Sequence, residues 1–111
     1  MSLPLPEFEL RDPVADTGLS IALGKRLAIR LTEIPTSGFR WQYALTQPGV
    51  VELVGDDYVS SGDLPGSPGY RSFVFRGSRR GATGIRFRLR RAWETAPPLK
   101  ELVVSVEVAD S

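Results

Sequence analysis

Apolar and polar residues alternate along most of the chain, from Leu19 to Val108. Turn residues interrupt the alternation, chiefly nine prolines and eleven glycines, and no stretch shows the 3.6-residue period of a helix. Period-two segments rich in β-branched and aromatic side chains predict half-buried antiparallel strands. We predict seven such strands, over residues 19–23, 26–32, 39–46, 50–59, 70–76, 83–91 and 100–108.

Seven short strands at this spacing are typical of two packed antiparallel sheets. We therefore predict an all-β, immunoglobulin-like antiparallel sandwich of about seven strands, with an OB-fold or another small barrel as the alternative. Trp41, in the third predicted strand, would fill the core position that a tryptophan takes in immunoglobulin domains. We expect residues 1–111 to form one domain, with residues 1–7 as a loose N-terminal extension.

Three connections are longer or more unusual than the others. If the predicted strands are lettered A to G and run alternately up and down, these three meet at one end of the sandwich. They are the BC loop (residues 34–38, IPTSG), the DE loop (60–69, SSGDLPGSPG) and the FG loop (92–99, AWETAPPL). Since rigid scaffolds carry their binding groups on loops, we expect the function at this end.

The chain contains neither cysteine nor histidine. This excludes disulfides, thiolate nucleophiles, His-dependent triads and metal sites built on Cys or His. Fourteen Lys and Arg against thirteen Asp and Glu give a net charge of +1, too small for a whole-molecule field that attracts nucleic acid or membrane. We therefore predict a binding protein rather than an enzyme, with no cofactor and no metal.

The first residues, MSLPLPEFELRDP, lack the charged head and the apolar middle of a signal peptide. We expect a cytoplasmic protein, or a periplasmic or secreted one whose signal has been removed. No apolar run approaches the ~20 residues of a membrane span. The expected state is a monomer that contacts neither membrane nor nucleic acid.

Three short motifs, one on each loop, resemble a known family. IPTSGFRW at 34–41 resembles the NPTTGF/Y-x-W segment of the chagasin-like inhibitors of cysteine peptidases. GSPG at 66–69 resembles the GxGG of that family's DE loop, and RAWE at 91–94 resembles its RPW or RPF segment. The order and spacing also agree, and LSIALGKRLAIRL resembles the family's first hairpin. Three motifs in order are more specific than any one of them alone.

In that family an immunoglobulin-like sandwich blocks the active-site cleft of papain-like cysteine peptidases with these loops. The resemblance implies a reversible inhibitor whose partner is a papain-like cysteine peptidase. Thr36 would lie near the catalytic Cys–His pair of the peptidase, and Trp93 would stack on an aromatic wall of the enzyme. The implied peptidase-binding residues are Pro35, Thr36, Ser37, Gly38, Phe39, Gly66, Ser67, Pro68, Gly69, Arg91 and Trp93.

The chain departs from the family pattern at three positions. Ile34 replaces the usual Asn, which removes a side chain able to cap the BC loop. Pro68 replaces a Gly, which removes an amide donor and stiffens the DE loop. Ala92 replaces a Pro and loosens the start of the FG loop. These changes bear on potency and target range.

The loop residues also allow plainer interpretations. The BC loop could be an ordinary turn, and Phe39 and Trp41 are expected in the core in either case. Trp93 is either an interface residue or folded back over the end of the sandwich. Arg91 is either a contact or the end of an arginine run. The other function class is an immunoglobulin-like adhesion or assembly module that binds a protein or glycan through the same loops.

The arginine run, RFRLRR at 86–91, suggests nucleic-acid binding at first sight. Its alternate arginines share one strand face, and we expect Glu101 and Glu107 of the last strand to lie across from them. Cross-strand ion pairs would then account for the run. The absence of an aromatic RNA-binding signature also weighs against nucleic acid.

Overall fold

The protein is a sandwich of eight β-strands. The computed structural model describes residues 8–13, 17–34, 37–60, 67–91, 93 and 95–110, so the expected extension at 1–7 lies outside the described residues. Within these ranges no helix is long and apolar enough to cross a membrane. The strands are β1 (Phe8–Arg11), β2 (Thr17–Ala22), β3 (Arg26–Glu33), β4 (Arg40–Leu45), β5 (Val51–Ser60), β6 (Gly69–Gly77), β7 (Gly81–Arg90) and β8 (Lys100–Ala109).

The all-β prediction is confirmed, and the seven predicted strands correspond to β2 through β8. The additional strand, β1, has four residues, of which Phe8 is exposed and Leu10 packs against the core. Phe8 and Leu10 both lie opposite buried residues of β3, so the alternation of β1 spans only two inward positions. An alternation this short does not predict a strand on its own.

Two four-stranded sheets form the sandwich, in the orders β1-β3-β6-β5 and β2-β8-β7-β4. β1 runs parallel to β3 and β2 runs parallel to β8, whereas the other neighbouring pairs are antiparallel. The segment expected to form a first hairpin, LSIALGKRLAIRL, instead crosses between the sheets, because β2 and β3 belong to different ones. A hairpin and a crossing turn bury the same alternate residues, so the pattern does not separate them.

Aromatic side chains join the two sheets. Phe73 and Phe75 of β6 and Phe87 of β7 are fully buried, and the ring centroids of Phe73 and Phe87 are 5.5 Å apart. Tyr43 of β4 closes the side of this cluster, with its centroid 5.3 Å from that of Phe75. Trp41 is also buried, as predicted. The core therefore holds both sheets in a fixed relation beneath the loops.

The register places the three predicted loops at one end. The BC, DE and FG loops connect β3 to β4, β5 to β6 and β7 to β8. Glu33 at the end of β3 and Ser60 at the end of β5 both lie opposite Gly69. In the other sheet, Arg40 at the start of β4 lies opposite Arg90 at the end of β7. The prediction that these loops share one end of the sandwich is confirmed.

Gly69 lies at the base of the DE loop, in the middle of its sheet, and is buried. A Cβ atom at this position would overlap the Tyr58 hydroxyl and the Val59 carbonyl oxygen. The Val59 oxygen cannot withdraw without disturbing β5, because it belongs to the backbone. Glycine is therefore required here for packing.

We predict that Gly69→Ala lowers the free energy of unfolding by about 1–3 kcal/mol, the usual cost of overpacking. The control is Gly55→Ala, also in this sheet, where a Cβ would meet only Val74 at 3.5 Å, an ordinary contact distance. Urea denaturation of both variants measures the difference. Equal stability of the two variants would contradict the packing role of Gly69.

Candidate functional site

The BC loop is closed by its own hydrogen bonds. The carbonyl oxygen of Ile34 accepts a hydrogen bond from the Ser37 amide at 3.1 Å and another from the Ser37 hydroxyl at 2.6 Å. The Ser37 hydroxyl oxygen accepts a third from the Phe39 amide at 3.1 Å. Gly38 has a φ of 79°, which glycine adopts at little cost. Ser37 thus caps the BC loop, a role that the resemblance implies for an asparagine at position 34. Pro35 and Thr36 lie outside the described residues.

The capping role of Ser37 was not predicted, because the resemblance implies only that Ser37 binds the peptidase. The signal for it was the residue type, since serine hydroxyls commonly bond to the backbone of their own turn. The hydroxyl here is engaged by backbone groups on both sides. Ser37 is therefore a structural cap and not an activated nucleophile. Within the described residues, no three carboxylates converge as metal ligands would.

Two aromatic residues support the loop from below. The Trp41 indole donates a hydrogen bond from Nε1 to the Thr32 carbonyl oxygen at 2.8 Å. This bond joins β4 to β3, and hence one sheet to the other, immediately beneath the BC loop. Phe39 is half-buried and packs against the core. Both ends of the BC loop are therefore anchored, in agreement with the prediction that Phe39 and Trp41 belong to the core.

Arg91 joins the FG loop to the BC loop. Its guanidinium carbon lies 4.4 Å from the centroid of the Phe39 ring, a cation–π distance. Its Nε lies 3.4 Å from the Ser37 carbonyl oxygen and donates a hydrogen bond to it. Arg91 therefore does not merely continue the arginine run, because it supports the BC loop from the side. Its contact with a peptidase stays a prediction.

Trp93 lies on the surface beside the BC loop. Its side chain is 73% exposed, so it is not sealed over the end of the sandwich. One edge of the ring faces Gly38, where a Cβ atom would lie only 3.0 Å from Cη2 of the indole. Gly38 therefore serves both the turn and the close approach of Trp93. The neighbouring Ala92 and Glu94 lie outside the described residues.

Of the DE loop, the structure describes Ser60 and residues 67–69. Pro68 is exposed and Ser67 is half-buried, whereas Gly69 is buried in the sheet and Gly66 lies outside the described residues. Gly69, assigned by the resemblance to the binding surface, thus has a packing role at the base of the loop. The structure brings together Ser37, Gly38, Phe39, Arg91 and Trp93. Ser67 and Pro68 immediately precede β6, in the other sheet.

A partly buried ion-pair cluster lies beneath the BC and DE loops. Glu33 is 2% exposed, and its Oε2 lies 2.7 Å from Nε of Arg71. The other side of the Arg71 guanidinium lies 2.9 Å from Oδ1 of Asp56. Burial lowers the pKa of Arg71, but the hydrogen bonds to Glu33 and Asp56 outweigh burial and raise that pKa above its usual value. The cluster clamps β3, β6 and β5 together where the two loops begin.

The sequence contained a signal for this cluster. Leu27, Ile29, Leu31 and Glu33 occupy successive inward positions of β3, so the carboxylate continues an apolar alternation. An acidic residue in such a position is almost always paired when it is buried. Glu33 could therefore have been predicted to need a cationic partner, although not to find it in Arg71.

We predict that Gly38→Ala displaces the Trp93 indole, because the new methyl group would crowd Cη2. The control is Gly24→Ala in the β2–β3 turn, where φ is 83° and a Cβ would meet nothing within 4 Å. Both variants should lose about 1–2 kcal/mol of stability through the left-handed backbone alone. Only Gly38→Ala should change the acrylamide quenching and emission maximum of tryptophan fluorescence. Identical fluorescence changes in the two variants would contradict the contact.

One family model and several solved structures match this chain. The chain matches the family model described as chagasin family peptidase inhibitor I42 over residues 20–108. A search of curated protein sequences gave no match. Among solved structures, the cysteine protease inhibitor EhICP2 from Entamoeba histolytica is similar, with 22% identity and a TM-score of 0.82 over 94% of this chain and 99% of that chain.

Two further solved structures share the fold. The solution structure of Amebosin is 27% identical, with a TM-score of 0.63 over 94% of this chain and 99% of that chain. PbICP-C, solved in complex with falcipain-2, is 15% identical, with a TM-score of 0.69 over 91% of this chain and 98% of that chain. The family match spans most of the sandwich, from β2 to β8. The chain therefore belongs to the chagasin family of peptidase inhibitors.

Proposed function

We propose that this protein is a reversible inhibitor of papain-like cysteine peptidases, which it blocks by inserting the BC, DE and FG loops into the active-site cleft. The observation that carries the proposal is the contact between the BC and FG loops, where an exposed Trp93 lies against Gly38 and Arg91 supports Phe39. Membership of the chagasin family supports peptidase inhibition. The similar structures of the cysteine protease inhibitor EhICP2 and of PbICP-C in complex with falcipain-2 support the class of target.

Preorganisation is the physical basis of the proposed inhibition. The BC loop is closed by three hydrogen bonds through Ser37 and is anchored by Trp41 and Phe39. A loop that is ordered before binding loses little conformational entropy when it docks. Such a loop needs no reactive group, because it only has to occupy the cleft without presenting a carbonyl for attack. Pro35 and Thr36 would form its tip, near the catalytic pair of the peptidase.

The surface beside the loop is apolar enough to bind a partner. Ile34, Trp93 and Leu99 are 47%, 73% and 61% exposed, and all three lie at the loop end. Clustered exposed apolar residues on a small protein mark an interaction site, and tryptophan is the residue most enriched among interface hot spots. Together with Ser67 and Pro68, this surface could supply the ~800 Å² per partner of a standard interface.

We expect the purified protein to inhibit papain competitively and reversibly. Trp93→Ala should raise the inhibition constant about 30-fold or more, which corresponds to about 2 kcal/mol for a hot spot. The control is Leu23→Ala, which removes an apolar side chain, 43% exposed, at the opposite end of the sandwich. This control should leave the inhibition constant unchanged, and both variants should keep the unfolding midpoint of the unsubstituted protein.

A second form of the enzyme tests the non-covalent mechanism. Papain whose catalytic cysteine carries a small methylthio group should bind the inhibitor with little loss of affinity in calorimetry, because no bond to that sulfur is needed. Absence of competitive inhibition at micromolar concentrations would refute the proposed function. An unchanged inhibition constant for Trp93→Ala would show that the FG loop takes no part in it.

A further inference from the structure

One face of the protein carries a local excess of positive charge. We define the arginine face as Arg40, Arg86, Arg88 and Arg90, on the outward side of the β2-β8-β7-β4 sheet. The three β7 arginines alternate with buried Phe87 and Leu89 and so point away from the core. Arg40 of β4 lies directly opposite Arg90. The net charge of the whole chain is only +1, so the rest of the chain carries a net negative charge.

Of the two glutamates expected to lie across from these arginines, only Glu101 does so. Glu101 lies opposite Arg88, with Oε2 3.5 Å from Nε of Arg88 and Oε1 3.5 Å from Nε of Arg86. Glu107 lies opposite Ala82, at the far end of β7. The expectation that both glutamates face the arginines is therefore wrong for Glu107. One carboxylate shared between two guanidinium groups at this distance contributes little, since exposed ion pairs are worth about 0.2–1 kcal/mol.

Arg40 adds to the excess of positive charge on the arginine face. No carboxylate in the described part of the chain pairs with it, and its cross-strand neighbour is another arginine. Like charges directly opposite each other on neighbouring strands destabilise a sheet. In the other sheet, by comparison, Arg71 pairs with two carboxylates, Glu33 and Asp56, and Arg76 pairs with Glu52. Glu9 is shared there by Arg11 and Arg30, which lie opposite each other.

The arginine face adjoins the loops proposed to enter the peptidase. Arg40 immediately follows Phe39 of the BC loop, and Arg90 immediately precedes Arg91. The charge is concentrated in the loop-proximal half of the sheet, whereas the distal half of the same face carries small residues such as Gly84 and Ser105. A partner that surrounds the loops would meet the arginines as it closes around them.

We propose that the arginine face docks against an acidic surface that flanks the cleft of the target peptidase. This inference rests on the proposed inhibitor function and narrows it, because the preferred targets are papain-like peptidases whose cleft is bordered by carboxylates. Complementary charge at the edge of an interface accelerates association and favours one partner over another. The arginines thus select among enzymes that share the same catalytic site.

The observations favour an acidic protein over a nucleic acid. The aromatic side chains of β4, Trp41 and Tyr43, point inward, Trp41 to Thr32 and Tyr43 to the phenylalanine cluster. The described arginine face thus lacks the stacking platform that single-stranded nucleic acids require. Its charge also adjoins the BC and FG loops and does not extend along a separate groove. Nucleic-acid binding remains a distinguishable outcome of the test.

The test uses one enzyme in two charge states, papain and papain whose lysines have been succinylated, each standardised by active-site titration. Succinylation converts lysine cations to carboxylates and leaves the catalytic residues in place. The association rate constant of the inhibitor should be about tenfold higher for succinylated papain at 20 mM salt. The difference should disappear at 500 mM salt, where the screening length is only a few ångströms.

Two double variants of the inhibitor test whether the arginine face causes the faster association with succinylated papain. Arg40→Gln with Arg88→Gln should lower the association rate constant for succinylated papain about three- to tenfold at 20 mM salt, with little change in dissociation. The control, Arg79→Gln with Arg80→Gln, removes the same charge from exposed positions at the opposite end of the sandwich. Its association rate constant should change less than twofold. Equal unfolding midpoints of the variants establish that both remain folded.

The outcomes are distinguishable. If the unsubstituted protein inhibits both enzymes but Arg40→Gln with Arg88→Gln associates as fast as the control, the arginine face takes no part, and only the further inference fails. If the unsubstituted protein inhibits neither form, the proposed function fails and the inference fails with it. Micromolar binding of a fluorescein-labelled 20-nucleotide DNA at 150 mM salt, lost in the same variant, would assign the arginines to nucleic acid instead.

Discussion

The contact between the BC and FG loops is the interaction on which the proposed site depends. The two loops connect different strand pairs, and without a contact they would be two independent turns. Arg91 bonds to the Ser37 carbonyl oxygen and lies over the Phe39 ring, while Trp93 lies against Gly38. These contacts depend on the charge of Arg91, on the aromatic face of Phe39 and on the lack of a side chain at Gly38. Together they make one surface that is ordered before any partner arrives.

The rest of the sandwich holds that surface in place. Trp41 bonds across the sheets to Thr32, and the Glu33–Arg71–Asp56 cluster joins three strands below the BC and DE loops. A buried ion pair is weak evidence for stability, because the attraction is offset by the cost of removing two charges from water. Its value here is geometric, since it joins the end of β3 to the start of β6. The energetic support comes from the aromatic core beneath it.

Much of the fold and the location of the site could be predicted from the sequence, because a half-buried strand requires alternation and loop ends follow from strand count. The parallel placement of β1 and β2 could not, since a strand buries the same residues whichever neighbour it has. The roles of Ser37 and Gly69 depend on backbone groups brought close by folding, which no spacing reveals. Glu107 lies opposite Ala82 because of the register between β7 and β8. A shift of two residues leaves the apolar–polar alternation unchanged, so the alternation does not determine this register.

The proposed function requires the three loops at one end of the sandwich to bind the peptidase as a single surface. Amide hydrogen exchange of the inhibitor, free and bound to papain with its catalytic cysteine blocked by a methylthio group, tests this most directly. We expect slower exchange in residues 37–39, 67–70 and 91–95, and unchanged exchange in the turns at residues 23–25 and 78–80 at the opposite end. Protection confined to the opposite end, or to the edge strand β5, would contradict it.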